Sequence, residues 1–516
     1  MSVNSLAAAK PHSGVRSFRH LSSRRVGFLM FGVILSGIAL SLVAIELEVR
    51  PGGWMDFYLL PWMVLVGVTA LIPSAYLYCK GSLVLYHPLV YGAAFGIIPG
   101  FVIGPIAIAV GMYDRYAYSL IPDPQFYLPL ALVYVAMGFA GLTLGFSLPI
   151  GRKVGRSLSA KLPVWEWSFR EARLPALLLM AIGEVGIFGA LQVGSGGYQM
   201  AVSVSVWGQT LVSLGSLSMF AQFVLWFTIF RVRRRTLTHW FFIVLLIAVG
   251  TFNGLLGGGK GGLFWQAVFV LVVYVLSGRR VPVRRVIFAG LIVGPLVLVG
   301  VVYGNTFRRL KGSEEVVDVK DYVRLVLEAA SRVATGDWGD SVSRGAEALF
   351  ERTEITTHLG VIVSNYEQLA SSERQYGVAN DIATSLLTAF IPRFLWPDKP
   401  LISDSRSLSA LYFNVPTNSY ASTPFGDLLR NFGPVGVPVG MALLGIVLAM
   451  FYQLVAKQPT TAWRGGLYYA MLTCMSYESF YGSILPGMLR AGVVVGGGAL
   501  FLQLLIGRPR RPLARA

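Results

Sequence analysis

Apolar runs long enough to cross a bilayer recur along the chain, and charged residues crowd into the segments between them. A helix of about 20 residues bridges the roughly 30 Å hydrocarbon core. In lipid a helix also satisfies its own backbone donors and acceptors. Runs near 26–46, 57–79, 88–111, 127–150, 174–193, 207–230, 240–256, 263–277, 286–304, 432–455, 465–482 and 487–507 therefore predict an all-α fold, a polytopic membrane helical bundle of about twelve transmembrane helices. Val26 to Ile45 follows a basic segment with no small-residue cleavage site before Glu46, so it is expected to stay as a signal anchor. Pro99, Gly100, Gly104 and Pro105 interrupt the third run and predict a kink or a close helix contact. Glu184, Glu478 and Arg490 sit in or near apolar runs, where an ionisable group is costly and often functional.

One stretch breaks the pattern. From Asn305 to Asn431 the chain is hydrophilic and holds most of its acidic residues; a loop of that length is seldom a mere connector. Within it, Asp321 to Val333 and Ser343 to Leu369 show helical periodicity, which predicts amphipathic helices at the membrane surface or capping the bundle. The division that follows is an N-terminal tail at 1–25, transmembrane helices 1–9 at 26–304, the large loop at 305–431, helices 10–12 at 432–507, and a C-terminal tail at 508–516.

Charge then fixes the expected orientation. The chain has 516 residues, 55% hydrophobic and 13% charged, with a formal net charge of +18, and a mean hydropathy of +0.63. That balance excludes an ordinary water-soluble domain. The excess of Lys and Arg gathers at 10–25, 152–173, 231–235, 279–285 and 508–515, each beside a predicted span. The distribution is an orientation signal and not a nucleic-acid surface, so both termini are expected in the cytoplasm and the 305–431 loop on the outer face. Cys79 and Cys474 are the only cysteines, so no disulfide framework is predicted.

Candidate chemistry concentrates in and beside that loop. Arg344, Glu347, Glu351, Glu354 and His358 recur at spacings of three and four, a polar stripe that is either an imidazole beside carboxylates, fit for general base work, or the solvated face of an amphipathic helix. Phe390-Ile-Pro-Arg-Phe-Leu-Trp-Pro-Asp-Lys-Pro400 holds Arg393 and Lys399 on a stiff backbone, either to grip a diphosphate or to anchor the chain at the interface. Asn305-Thr-Phe-Arg308-Arg309-Leu-Lys311 puts cations where the ninth span emerges, to meet a lipid phosphate or to end a helix. Gly254-Leu-Leu-Gly-Gly-Gly259-Lys260-Gly261 has part of a P-loop spacing, but Gly261 stands where Ser or Thr must bind magnesium and no strand precedes it. What remains is a glycine-rich turn with one cation, a phosphate cradle or a tight re-entrant turn. No HExxH, no carboxylate cluster of calcium or zinc spacing and no nucleotide fingerprint is present, so no metal and no cofactor is predicted.

Three of these segments, the turn at Lys260, Ile391-Pro-Arg-Phe-Leu-Trp-Pro-Asp-Lys-Pro400 and Gly426-Asp-Leu-Leu-Arg-Asn-Phe-Gly-Pro-Val-Gly436, give the chain its likeness to a known group. It resembles the bacterial oligosaccharide repeat unit polymerases, the Wzy-type O-antigen and exopolysaccharide polymerases. The resemblance implies an inner-membrane glycosyltransferase that joins undecaprenyl-diphosphate-linked oligosaccharides, and makes 305–431 a periplasmic loop. It implies His358, or failing it Asp427 or Glu354, as the group that takes the acceptor hydroxyl proton. Lys260, Arg308, Arg309, Arg344, Arg393, Lys399 and Arg430 would then meet the diphosphate and glycan. The expected partners are lipid-linked oligosaccharides and membrane lipids, with a chain-length regulator and a flippase as candidate proteins and no nucleic acid. A lipid-linked oligosaccharide flippase and an O-antigen ligase are the alternatives. Asn418 to Asp427 lacks the His that such ligases place before this span.

Overall fold

A computed structural model describes residues 57–109, 111–198, 205–259, 261–279, 299–312, 317–336, 353–376, 405–416, 420–456 and 460–507, with short stretches between 378 and 399. Among them the chain is entirely helical, and eight helices are long and apolar enough to cross a membrane. The main helices are α1 (Leu60–Cys79), α2 (Pro88–Ala109), α3 (Pro124–Ser147), α4 (Pro149–Lys161), α5 (Phe169–Gln192), α6 (Gly208–Arg231), α7 (Leu237–Leu256), α8 (Gly262–Leu276), α9 (299–311), α10 (Val319–Thr335), α11 (Thr356–Glu373), α12 (Ser405–Phe413), α13 (Pro424–Ala456), α14 (Ala462–Thr473) and α15 (Tyr481–Ile506). The expected spans near 57–79, 88–111, 127–150, 174–193, 207–230 and 240–256 are all found as helices within a few residues of those bounds. The first expected span, and most of the one at 286–304, lie outside the described residues.

Local sequence sets several helix starts. Asp123 accepts the Phe126 N–H ahead of Pro124, and Ser168 with Glu171 forms a capping box at the start of α5. Large apolar side chains then face outward, among them Phe241 and Val244 of α7 and Leu500 and Leu504 of α15. In water such faces would aggregate; on a spanning helix they meet acyl chains.

The bundle closes through small residues. Between α3 and α13 a Cβ at Gly145 would fall 1.9 Å from the Ala442 carbonyl, and one at Gly141 would fall 2.3 Å from that of Pro438. The backbones touch there, which gives dispersion contact where lipid supplies no hydrophobic drive for helix pairing. α4 carries Arg152, Lys153 and Arg156 on its exposed side and packs on α13 through Gly151 and Gly155.

Three elements depart from the sequence expectation. α2 contains two π-helical turns, Ala93–Ile97 and Pro99–Ile103, so the kink expected from its Gly and Pro is present as a change of helix type. The span expected at 432–455 begins earlier, as a short helix from Pro424 that kinks at Gly433 (φ 68°, ψ −171°) before the transmembrane part. The span expected at 465–482 is broken: α14 stops at Thr473, and α15 starts at Tyr481, ahead of the expected 487. At 1.5 Å per residue the 12 residues of α14 reach about 18 Å, short of the hydrocarbon thickness. Non-helical chain at that depth survives only where protein buries it or it lines a cavity, and Met475, Ser476 and Tyr477 do line one.

Of the two amphipathic helices expected in the loop, α10 is present with Tyr322, Val326 and Ala329 buried. The second is not continuous. Helix α11 begins at Thr356, Glu354 and Ile355 are non-helical, and 337–352 lie outside the described residues.

Candidate functional site

The cations expected to grip a diphosphate meet a third one from the membrane. Lys399 donates to the carbonyls of Thr388 (2.5 Å) and Ile391 (3.1 Å). Arg490, on α15, donates through Nε to the Pro486 carbonyl at 3.3 Å. Burial, and then the positive charges of Arg490 and Arg393, push the Lys399 ammonium below its usual range. Neither Lys399 nor Arg490 forms an ion pair with a carboxylate among the described residues. Phe394, beside Arg393, stacks on Trp207 at 4.9 Å and ties this segment to the start of α6. Like charges drawn together repel, so an anion that joins them is favoured.

The Gly426-Asp-Leu-Leu-Arg motif builds something different. Arg430 donates to Asp427 Oδ1 through Nη2 (2.7 Å) and Nε (3.0 Å), and to the Val378 carbonyl through Nη1 (2.8 Å). Its Nη1 also lies 3.1 Å from Glu373 Oε1. Tyr412 donates to the same Glu373 oxygen at 2.7 Å, and the Gly482 N–H donates to Asp427 Oδ2 at 3.0 Å. The guanidinium is 0% exposed. Asp427 and Arg430 were expected to serve as a base and as a phosphate-facing cation; the geometry instead commits both to an internal network that joins α11, α12, α13 and the start of α15. Sequence reading missed Glu373 and Tyr412, because no local pattern links positions on three separate helices. Thr423 precedes the motif with φ 58°, a rare conformation for a β-branched residue, and its Oγ1 accepts the Gly426 N–H at 3.0 Å.

His358 and Glu354 are parted by the helix break. His358 lies on α11 against the edges of Phe413 (5.9 Å) and Tyr420 (4.9 Å). Glu354 is 1% exposed, with its backbone against Gly104 of α2, and accepts the Thr357 N–H at 2.9 Å. Burial raises its carboxyl from 4.5 to about 7, against the pull of its bonds to Thr357 and Thr356. Glu354, expected either beside an imidazole for general base work or on a solvated helix face, is instead a buried carboxyl whose titration is pushed up to about 7. Arg344 lies outside the described residues.

The glycine-rich turn is a tight connection between α7 and α8, where a Cβ at Gly262 would fall 2.2 Å from the Gly254 carbonyl. Lys260 lies outside the described residues. Gly258 (φ 59°) packs on Phe307 and Tyr198, and the Arg308 guanidinium sits 4.4 Å above the Tyr198 ring. Lys311 is buried nearby, 6.0 Å from the same ring, while Arg309 is exposed. The structure thus brings Arg308 to the turn and leaves Arg309 apart.

Inside the bundle lies a cavity of about 490 Å³, lined mainly by apolar groups from α2, α3, α6, α8 and α13–α15. One side is polar. Ser218 and Asn253 donate to Glu184 Oε1 at 2.5 and 2.8 Å, and Gln222 Nε2 donates to Ser218 Oγ at 3.2 Å. Gly183 makes this possible, since a Cβ there would fall 2.2 Å from the Ser218 nitrogen. Of this group the sequence singled out Glu184 alone.

Fold and site together define a polytopic α-helical membrane protein with a buried ionic network, a cluster of cations and an intramembrane cavity. No family model, no curated protein and no solved structure matches the chain.

Proposed function

We propose that this chain is a membrane glycosyltransferase that polymerises undecaprenyl-diphosphate-linked oligosaccharide repeat units into O-antigen or exopolysaccharide at the periplasmic face of a bacterial inner membrane. The observation that carries the reading is the convergence of Arg393, Lys399 and Arg490, with no carboxylate paired to Lys399 or Arg490 among the described residues. A diphosphate is the anion such a group suits, because Arg offers a planar fork to phosphate oxygens and Lys a point charge. In the reaction, a hydroxyl oxygen of the incoming repeat unit bonds to the anomeric carbon of the growing glycan. The bond from that carbon to the diphosphate oxygen breaks, the lipid diphosphate departs with the electron pair, and the hydroxyl proton passes to His358. The cations offset the charge that builds on the leaving group.

A second reading, a flippase for the same lipid-linked oligosaccharides, is favoured by the cavity and by the helix broken between α14 and α15. One reconstitution separates the two. Purified protein in detergent, given lipid-linked repeat units, should yield a polymer ladder on gels, with Arg490→Met and Lys399→Met reduced at least tenfold at equal protein. Absence of polymer from the wild type, together with movement of the lipid across sealed vesicles, would leave the flippase. Wild-type ladders from both variants and from Arg393→Ala would overturn the cation assignment.

A further inference from the structure

We infer that the polar side of the intramembrane cavity binds a monovalent alkali cation, with Glu184, Gln222 and Asn253 as its oxygen ligands. The hydrogen bonds fix which atoms are available. Asn253 donates through its amide nitrogen to Glu184 Oε1, so its oxygen faces elsewhere. Ser218 gives its single proton to Glu184, so Gln222 approaches it as a donor, and the Gln222 oxygen is left over. Both leftover oxygens, Gln222 Oε1 and Asn253 Oδ1, are buried and have no hydrogen-bond partner among the described residues. Gln222 is 4% exposed and lines the cavity, as do Ser218 and Asn253.

Among the described residues lining the cavity, Gln266 Nε2 is the one buried side-chain donor without a partner, so unmet acceptors outnumber unmet donors beside this carboxylate. Two donors converge on a single Glu184 oxygen, and Glu184 forms no ion pair with Lys or Arg among the described residues; a carboxylate that carries charge inside a bundle needs a counter-charge. A cation of charge one satisfies the carboxylate and both amide oxygens at once. A divalent ion would leave charge in excess beside a single carboxylate, and a neutral hydroxyl would satisfy one acceptor and leave the charge. Oxygen donors of this kind suit hard cations. The inference does not depend on the reaction proposed above, since it concerns groups on α5, α6 and α7 and none of Arg393, Lys399 and Arg490.

The test uses full-length protein in detergent, exchanged into choline chloride at constant ionic strength and titrated with NaCl or KCl while thermal unfolding is followed. The expected result is a saturable rise in apparent melting temperature with one alkali cation, its midpoint moved at least tenfold higher in Glu184→Gln and in Gln222→Met. Gln222→Met is included because it removes one ligand and keeps the carboxylate, should Glu184→Gln fold poorly. Retention of radiosodium by the wild type and its loss in Gln222→Met would support the site directly. An equal response of wild type and both variants would overturn the proposal, as would a response to pH with none to sodium or potassium.

Discussion

Replacing Arg430 by Met leaves the methylene stem and deletes the charge from the centre of the buried network. The substitution removes contacts at 2.7, 3.0 and 3.1 Å to two carboxylates and a bond of 2.8 Å to the Val378 carbonyl. Asp427 and Glu373 then remain, with side chains 1% and 5% exposed, without the Arg430 cation. Breaking a buried pair from one side typically costs about 3–5 kcal/mol, because the charge that stays is buried and uncompensated; the bonds from Tyr412 and the Gly482 N–H remain but bring no opposite charge. With an unfolding entropy of about 2.1 cal/mol/K per residue, a chain of 516 residues should show a fall of about 3–5 °C in apparent melting temperature. The assay is thermal unfolding of detergent-purified protein, followed by intrinsic fluorescence and by retention of a monodisperse peak. Adding Glu373→Gln to Arg430→Met removes one stranded charge, so the double variant should recover part of the loss. Arg430→Met melting within about 1 °C of wild type would refute the reasoning, and so would a full, independent penalty from Glu373→Gln on top of it.

Other outcomes follow from single sites. Because burial raises Glu354 from 4.5 to about 7, the folded chain binds a proton that the unfolded chain releases between those values. Stability should therefore fall by about 3 kcal/mol in all as pH rises through that window, then level off, and Glu354→Gln should flatten the curve in a melting series across pH. Gly145→Val places a branched side chain where even a Cβ meets the Ala442 carbonyl at 1.9 Å, so α3 and α13 must part; a loss of about 1–3 kcal/mol or more, read as poor yield and a lowered melting temperature, is expected. Thr423→Asn keeps an acceptor for the Gly426 N–H and suits the positive φ of 58°, so it should raise the melting temperature slightly, by about 1 kcal/mol of relieved strain. A lowered value would show that the Thr methyl contributes more by packing than the backbone strain takes away.

The sequence by itself determined the solvent and hence the class of fold. Runs of apolar residues at bilayer length admit one spanning geometry, and α1–α3 and α5–α7 lie within a few residues of where those runs predict them. It also marked Arg393, Lys399, Glu184 and Arg490, because an ionisable group near lipid is conspicuous whatever it touches. Tertiary structure alone decided what each of them meets. Arg430 finds Glu373, which lies on α11, and Tyr412, which lies on α12. Lys399 finds Arg490 across the loop, and Glu184 finds Ser218 because Gly183 lets two backbones touch. Such pairings depend on distances between elements far apart in the chain, which no local periodicity encodes. The broken span at 474–480 shows a related limit: Ser476, Glu478 and Ser479 interrupt the apolar run, but only the cavity that Met475, Ser476 and Tyr477 line shows that the helix stops there.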